Sequence, residues 1–326
     1  MGLPRRRFLQ LAGGAATLPI LPRIARAQTS WPTRPVRYIV SFAAGGPNDT
    51  TARLIAQYLS DNLGQQVFVE NHTGAGGNVG MEVALNAAPD GYTIAFVGPN
   101  NAISATLYKK LPFDFMRDSV PIAGTMRMTN VLVANLNLPV KSLTEFIAYA
   151  KANPGKINFG SGGVGTSPHL SGELLKAMAG INMLHVPYRG TAPALVDLLA
   201  GQTQCMFDNL PGQLQQIRTG KVRALGVTAP KRAPELPDVP AIAEIVPGYE
   251  ANVWYGISAR KGVPNAIVDK LNHAVNAVLA DPRLKARFEQ LGGHPMPMTP
   301  AQFGELVASE TAKWAKVIKE AGIQAA

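Results

Sequence analysis

Two glycine-rich segments contain the residues best suited to bind an anion. The first, "VSFAAGGPNDTTARLIAQYL" (residues 40–59), runs from an apolar strand pattern through a glycine turn into a helix pattern. The second, "INFGSGGVGTSPHLSGELLKAMAG" (residues 157–180), has the same order. Such a strand, turn and helix place free backbone N–H groups and the positive end of a helix dipole at one spot, which attracts carboxylates and phosphates. The sequence therefore predicts two anion-binding loops.

Polar side chains in and after the second loop extend this prediction. Thr166 and Ser167 can cap the following helix or offer their hydroxyl groups to a carboxylate, and the matching first loop favours ligand contact. His169 falls in the first helical turn, where it either faces a ligand or packs. Tyr188 ends a strand pattern and can supply a ring and a hydroxyl group. Asp208 ends another strand pattern, where it can receive a ligand amine or hydroxyl or can fix a loop.

Other chemistries that glycine loops can serve are disfavoured. The run Gly160–Gly165 matches G-x-G-x-x-G, but the next strand ends in Tyr188 and Arg189 without the carboxylate that a dinucleotide ribose needs. G-x-x-x-x-G-K-[ST], G-x-S-x-G and H-E-x-x-H are absent, and the five His residues show no metal-ligand spacing. The sequence therefore predicts no catalytic residue, no metal and no cofactor.

The N-terminus has the features of an export signal. Arg5-Arg6-Arg7-Phe8-Leu9 precedes a weakly apolar stretch and Ala25-Arg26-Ala27, which predicts twin-arginine export with cleavage after about Ala27. An ordinary secretory signal is the alternative. Removing residues 1–27 removes five Arg, which leaves 26 basic against 21 acidic residues and a net charge of +5. The basic residues are scattered, so nucleic-acid binding is not predicted, and the lone Cys205 reads as a buried thiol.

Strand and helix patterns alternate along the rest of the chain. This alternation predicts an α/β fold with parallel sheets. The order of strand, glycine loop and helix starts twice, which predicts two lobes. The stretch from about residue 260 reads as nearly all helix without strands, so we expect it to pack on the first lobe. The chain would then cross between the lobes near residues 125–130 and 248–255, forming a hinge beside a ligand cleft, with Trp254 and Tyr255 at the second crossing.

Seven segments, in order, resemble the Bug (TctC-like) periplasmic receptors of tripartite tricarboxylate transporters. They are "WPTRPVRYIVSFAAGGPND", "VENHTGAGGNVG", "APDGYTIAFVG", "ANPGKINFGSGGVGTSPHLSGELL", "HVPYRGTAPALVDLLAGQTQCMFDNLP", "GKVRALGVTAPKRAPELPDVPAIAE" and "WYGISARKGVPNAIVDKLN". The resemblance covers essentially the whole mature chain. It implies the type 2 periplasmic-binding-protein fold, with lobe 1 formed by residues 28–128 and 250–326 and lobe 2 by residues 129–249.

The resemblance also implies how a ligand is held. In this family a carboxylate is bound by backbone N–H groups and small hydroxyl groups, often through water. The matching positions here are Ala44, Gly45, Gly46 and Asn48 in the first lobe, and Ser161, Gly165, Thr166, Ser167 and Asp208 in the second. Arg189 stands where Lys is frequent, and Asn48-Asp49-Thr50 stands where Thr-Asp-Val or Ser-Asp-Ile is common, so no relative's ligand can be transferred.

These observations predict a periplasmic, non-catalytic receptor. It would close on a small carboxylate as a monomer and deliver it to the membrane components of a tripartite tricarboxylate transporter. Two alternatives stay open: a sensor that reports ligand occupancy to a membrane kinase, and an exported enzyme on the same scaffold, which would need a pair of reactive residues that the sequence does not reveal.

Overall fold

The computed structural model describes residues 31–188, 190–320 and 322–323. The predicted export signal and Arg189 lie outside these residues. The described residues from Pro32 onward form one compact unit that contains both β-sheets. Within the described residues, no helix has the length and apolar character that crossing a bilayer requires.

The first sheet has six strands. In chain order they are β1 (Val36–Val40), β2 (Val67–Asn71), β3 (Thr93–Val97), β4 (Ser119–Met128), β10 (Val253–Arg260) and β11 (Gly293–Pro295). Their order across the sheet is β11-β4-β10-β3-β1-β2. Strand β1 pairs in parallel with β2 and β3, whereas β10 is antiparallel to β3 and β4, and β11 is antiparallel to β4.

The second sheet has five strands. They are β5 (Asn130–Ala134), β6 (Ile157–Ser161), β7 (Met183–Pro187), β8 (Cys205–Asn209) and β9 (Arg223–Val227). Their order is β7-β6-β8-β5-β9, with β6 parallel to both neighbours and β5 antiparallel to both of its own. The prediction of parallel sheets is therefore wrong for β5, β10 and β11. Strands β5 and β10 are each the first strand after the chain has passed from the other sheet, and each runs antiparallel to both of its neighbours.

Eleven α-helices surround the sheets in the described part of the chain. They are α1 (Pro47–Leu63), α2 (Asn78–Leu85), α3 (Pro99–Leu107), α4 (Phe115–Asp118), α5 (Leu143–Ala152), α6 (Ser167–Ala179), α7 (Thr191–Leu199), α8 (Leu210–Arg218), α9 (Asn265–Ala280), α10 (Pro282–Gln290) and α11 (Pro300–Glu320). Helices α9 and α11 pack on β4 of the first sheet. The C-terminal stretch also contributes β11, so the expectation that it has no strand is wrong.

The sheets are joined by two connections that lie side by side. Only Thr129 separates β4 from β5, and the chain returns between β9 and β10. The hydroxyl groups of Thr129 and Thr228 are 3.1 Å apart, and the N–H of Ala229 donates to Thr129 Oγ1 at 2.9 Å. The two connections are therefore hydrogen-bonded to each other where the chain leaves one sheet for the other.

Candidate functional site

A cavity of about 150 Å³ is lined by loops and helix starts that follow strands of both sheets. Of the predicted site residues, Asn48, Thr166, Ser167 and Asp208 line it. A second cavity of about 360 Å³ adjoins it, and Gly45 lines that one. Both cavities share walls formed by Pro47, Thr191, Asp208 and Asn209.

Five helices begin at the first cavity. Lining residues come from the N-terminal turns or N-caps of α1, α3, α6, α7 and α8, represented by Asn48, Asn100, Ser167, Thr191 and Asn209. Each N-terminus presents unpaired N–H groups and the positive end of the helix dipole. No Lys, Arg or His is among the described residues that line this cavity. The groups that it offers to an anion are therefore backbone N–H groups at helix starts and small polar side chains, and the Asp208 carboxylate also lies in its wall.

The first loop is held from behind by a buried carboxylate. Asp49 accepts a hydrogen bond from the N–H of Gly45 at 2.8 Å, and Arg53 and Asn71 donate to the same carboxylate. Burial favours a raised pKa for Asp49, but the hydrogen bonds from Arg53 and the loop outweigh it and lower the pKa. Gly45 has a φ of +81°, which only glycine adopts easily. Ala44 and Gly46 are not among the residues lining either cavity.

The second loop is shaped by glycine and capped by threonine. Gly163 and Gly165 have φ values of +132° and +79°. Thr166 Oγ1 donates to the carbonyl of Gly163 at 2.8 Å and accepts from the N–H of His169 at 3.4 Å, so it caps α6. Gly162, Thr166 and Ser167 face the first cavity, whereas Ser161 and Gly165 do not line it.

A stacked pair of histidines supports this loop. The rings of His169 and His185 are 3.9 Å apart between centroids, with 23° between their planes. A hydrogen bond of 2.7 Å joins Ser161 Oγ to His185 Nε2, and the N–H of Gly165 donates to His169 Nδ1 at 3.2 Å. Burial, together with nearby positive groups, lowers the pKa of His169 to about 3 and that of His185 to about 4. Two neutral imidazoles therefore hold both ends of the loop.

The pairing of Ser161 with His185 is what sequence reasoning missed. Ser161 ends β6, and His185 lies on the neighbouring strand β7, so parallel pairing brings together residues that are far apart in sequence. A Ser–His pair at hydrogen-bonding distance is the first requirement of a serine nucleophile. However, Ser161 is 0% exposed and does not line the cavity. In this structure the arrangement supports the loop.

The remaining predicted residues differ in their placement. Tyr188 donates to Asp197 Oδ2 at 2.7 Å and lines neither cavity, and burial followed by this carboxylate raises its pKa to about 12. Asp208 is 3% exposed, and burial raises its pKa to about 6 although Gln213 donates to it. Tyr255, which sequence reasoning placed near a crossing, lines the first cavity and donates to Asn48 Oδ1 at 3.1 Å.

Residues outside the cavities have structural roles. Trp254 is buried, and its indole N–H donates to Glu310. The Cys205 thiol is buried, which raises its pKa. In the described part of the chain, no group of three or more His, Cys, Asp or Glu residues is suited to hold a metal ion.

Comparison with known proteins shows the family to which the chain belongs. Residues 51–323 match the model of the tripartite tricarboxylate transporter family receptor. A protein of Pseudomonas sp. (strain P51), described as the UPF0065 protein in the tcbD-tcbE intergenic region, is 39% identical over 97% of this chain and 94% of its own length.

Solved structures agree. R. palustris Rpa4515 with adipate has a TM-score of 0.82 at 37% identity, covering 90% of this chain and 99% of that one. The periplasmic binding protein BugD has a TM-score of 0.80 at 38% identity, covering 90% and 99%. The α/β class and the two-lobe periplasmic-binding-protein fold predicted from the sequence are confirmed. The chain belongs to the family of tripartite tricarboxylate transporter receptors, the TctC or Bug family.

Proposed function

We propose that this receptor binds a small carboxylate in the first cavity without transforming it. The observation that carries the proposal is the convergence of five helix N-termini on one cavity, none of whose described lining residues is basic. The adipate in the similar R. palustris structure supports the same class of ligand. The predicted contact residues fall into two groups. Those that line a cavity contact the ligand, and they are Gly45, Asn48, Thr166, Ser167 and Asp208. The others shape the loops, and they are Ala44, Gly46, Ser161, Gly165, His169 and Tyr188.

The energetics of such a site are adequate without a basic side chain. A hydrogen bond to a charged group contributes about 1.5–3 kcal/mol. Four or five of these, reduced by the cost of ordering ligand and loops, reach the roughly −8 kcal/mol of micromolar binding.

The receptor's setting follows from the sequence and the family. We propose that residues 1–27 direct export to the periplasm, by a twin-arginine signal cleaved after about Ala27. The mature chain acts as a monomer that hands its ligand to the membrane components of the transporter. The lobes, residues 28–128 with 250–326 and residues 129–249, close about the paired connections at Thr129 and Thr228.

A change of charge at one helix N-terminus tests the site. Ser167→Asp places a carboxylate at the start of α6, inside the first cavity. Acidic residues suit helix N-termini, so the variant should fold with unchanged or greater stability. Its affinity for carboxylates should nevertheless fall by about tenfold or more, since like charges across a site cost more than 1.4 kcal/mol. Ser142→Asp, at the start of α5 and outside both cavities, is the matched control.

The assay is thermal unfolding against a panel of small carboxylates and neutral analogues. A ligand at 100 times its dissociation constant should stabilise the protein by about 2.7 kcal/mol. The proposal predicts such a shift for one or a few acids in the wild type and in Ser142→Asp, and a much smaller one in Ser167→Asp. A shift caused only by neutral compounds, or equal shifts in all three proteins, would contradict it. Consumption of the bound acid would restore the enzyme alternative.

A further inference from the structure

Asp208 forms part of the wall between the two cavities and lines both. Its Oδ1 accepts from the N–H of Asn209 at 2.8 Å, and its Oδ2 accepts from Gln213 at 2.8 Å. A carboxylate can accept about four hydrogen bonds, so two further positions remain for a donor from the ligand. Among the described residues, no basic side chain makes an ion pair with Asp208.

Asn209, beside Asp208, adds a second acceptor. Its Oδ1 is buried and has no hydrogen-bond partner among the described residues. Asn209 also lines both cavities. A buried acceptor left without a donor costs free energy, so this position favours a ligand group that donates.

The far wall of the second cavity has the same polarity. It includes Gln290 and Leu291, at the end of α10, where the helix dipole is negative. The other lining residues are uncharged, apart from Asp208, and none of the described ones is basic. The N-terminal turns of α1, α7 and α8 reach both cavities, and Asp208 lines both. The first cavity also has the starts of α3 and α6, whereas the second has the C-terminal end of α10. A negative group is therefore favoured beside α3 and α6, and a hydrogen-bond donor is favoured in the region from Asp208 toward α10.

We propose that the ligand carries one carboxylate and, toward Asp208 and Asn209, a hydrogen-bond donor such as a hydroxyl or ammonium group instead of a second carboxylate. The ligand class is therefore a hydroxy or amino monocarboxylate. This inference rests on the proposed binding of a carboxylate in the first cavity. A dicarboxylate such as adipate would bring its second charge against Asp208, and like charges in a buried site are strongly unfavourable.

The test compares matched ligands that differ only at one end. Adipate, 6-hydroxyhexanoate, 6-aminohexanoate and hexanoate form one series, and succinate, 4-hydroxybutyrate, 4-aminobutyrate and butyrate form a shorter one. Calorimetric titration at pH 8 gives each dissociation constant, at a pH where Asp208 with its pKa of about 6 is ionised. The expected result is that a hydroxy or amino acid binds at least about tenfold more tightly than the dicarboxylate of its series, the factor that 1.4 kcal/mol represents.

Asp208→Asn removes the charge and keeps the shape. An asparagine there can still accept from the N–H of Asn209 and can donate to Gln213 Oε1, which is buried and unpartnered among the described residues, so we expect the variant to fold. In this variant the ratio of the dicarboxylate's dissociation constant to that of the hydroxy or amino acid should shrink at least fivefold. Asp197→Asn, on α7 and outside both cavities, is the control and should keep the wild-type preference.

A second measurement uses the wild type alone. Lowering the pH from 8 to 5 protonates Asp208, whose polar neighbours are Gln213 from α8 and the Tyr255 hydroxyl from β10. The preference should narrow more in the wild type than in Asp208→Asn, because protonation of the dicarboxylate's own second carboxylate affects both proteins equally and only the wild type also loses the charge of Asp208. Tighter binding of a dicarboxylate at pH 8, or an equal preference in the wild type and Asp208→Asn, would overturn the inference and leave the carboxylate site standing. Binding of no acid in either series, with neutral analogues bound instead, would overturn the proposed function itself.

Discussion

The stacked pair of His169 and His185 makes the stability of this protein depend on pH. In the native state their pKa values are lowered to about 3 and about 4, mainly by burial. In the unfolded chain a histidine has a pKa of about 6.5. Below pH 6.5 the unfolded chain therefore takes up two protons that the native protein excludes until about pH 4, and the free energy of unfolding falls.

The size of the effect follows from these values. Lowering the pH from 7.5 to 5.0 removes about 2 kcal/mol of stability for each imidazole, since one pKa unit corresponds to about 1.4 kcal/mol. Asp208 acts in the opposite direction, because burial raises its pKa to about 6 and the native state then binds a proton first. Its contribution offsets about 1 kcal/mol of the loss. The net decrease should be about 2–3 kcal/mol.

Urea unfolding at the two pH values, with His variants, isolates the pair. His169→Asn keeps an acceptor near the N–H of Gly165, and His185→Gln keeps a polar partner for Ser161, but neither titrates. Between pH 7.5 and 5.0 the change in the free energy of unfolding should differ by about 3–4 kcal/mol between the two proteins. The wild type should lose stability, whereas the double variant should keep its stability or gain slightly, because Asp208 still titrates. His273→Gln, at an exposed position on α9, is the control and should lose as much as the wild type. Equal losses in the wild type and the double variant would refute the reasoning.

Two further substitutions test the loop and the paired connections. Gly165→Ala forces alanine into φ +79° and brings its Cβ to 3.0 Å from Leu107, so thermal unfolding should show a loss of about 1–2 kcal/mol. Gly46→Ala, at φ −76° with its added Cβ at an ordinary contact distance of 3.4 Å from the Ala43 carbonyl oxygen, should lose under about 0.5 kcal/mol, and similar losses in both would contradict the role of the Gly165 conformation. Thr129→Val removes the hydroxyl group that contacts Thr228 and leaves the N–H of Ala229 without its acceptor. Urea unfolding should show a loss of about 1–3 kcal/mol. An unchanged midpoint would show that this bond does not join the connections.

Local patterns predicted the regular elements well where strand and helix signals were clear. The structure has β3 at Thr93–Val97 and α5 at Leu143–Ala152, as the apolar run and the capping Ser142 indicate. The sequence patterns did not predict strand β4, which contains Pro121 and Gly124, two residue types that weaken a strand signal. The antiparallel direction of β5 and β10 could not be predicted, since it depends on how the chain passes between sheets and not on side-chain periodicity.

The candidate site was predictable in its loops and not in its supports. Glycines before helix patterns identified the N-termini of α1 and α6, whereas that of α3 was missed although Gly98-Pro99-Asn100 follows a strand in the same way. The contact of Ser161 with His185 depends on which strands are neighbours, so spacing along the chain could not reveal it. Spacing along the chain also left open the placement of His169, which accepts from the N–H of Gly165, and of Tyr255, which lines the first cavity.

The most direct test of the central claim is a calorimetric titration of the purified protein with single carboxylates, followed by recovery of the ligand. The account predicts saturable binding of one carboxylate per chain at micromolar affinity, with the acid recovered chemically unchanged after hours of incubation. Saturable binding of a neutral compound in place of any acid, or recovery of a converted product, would contradict it.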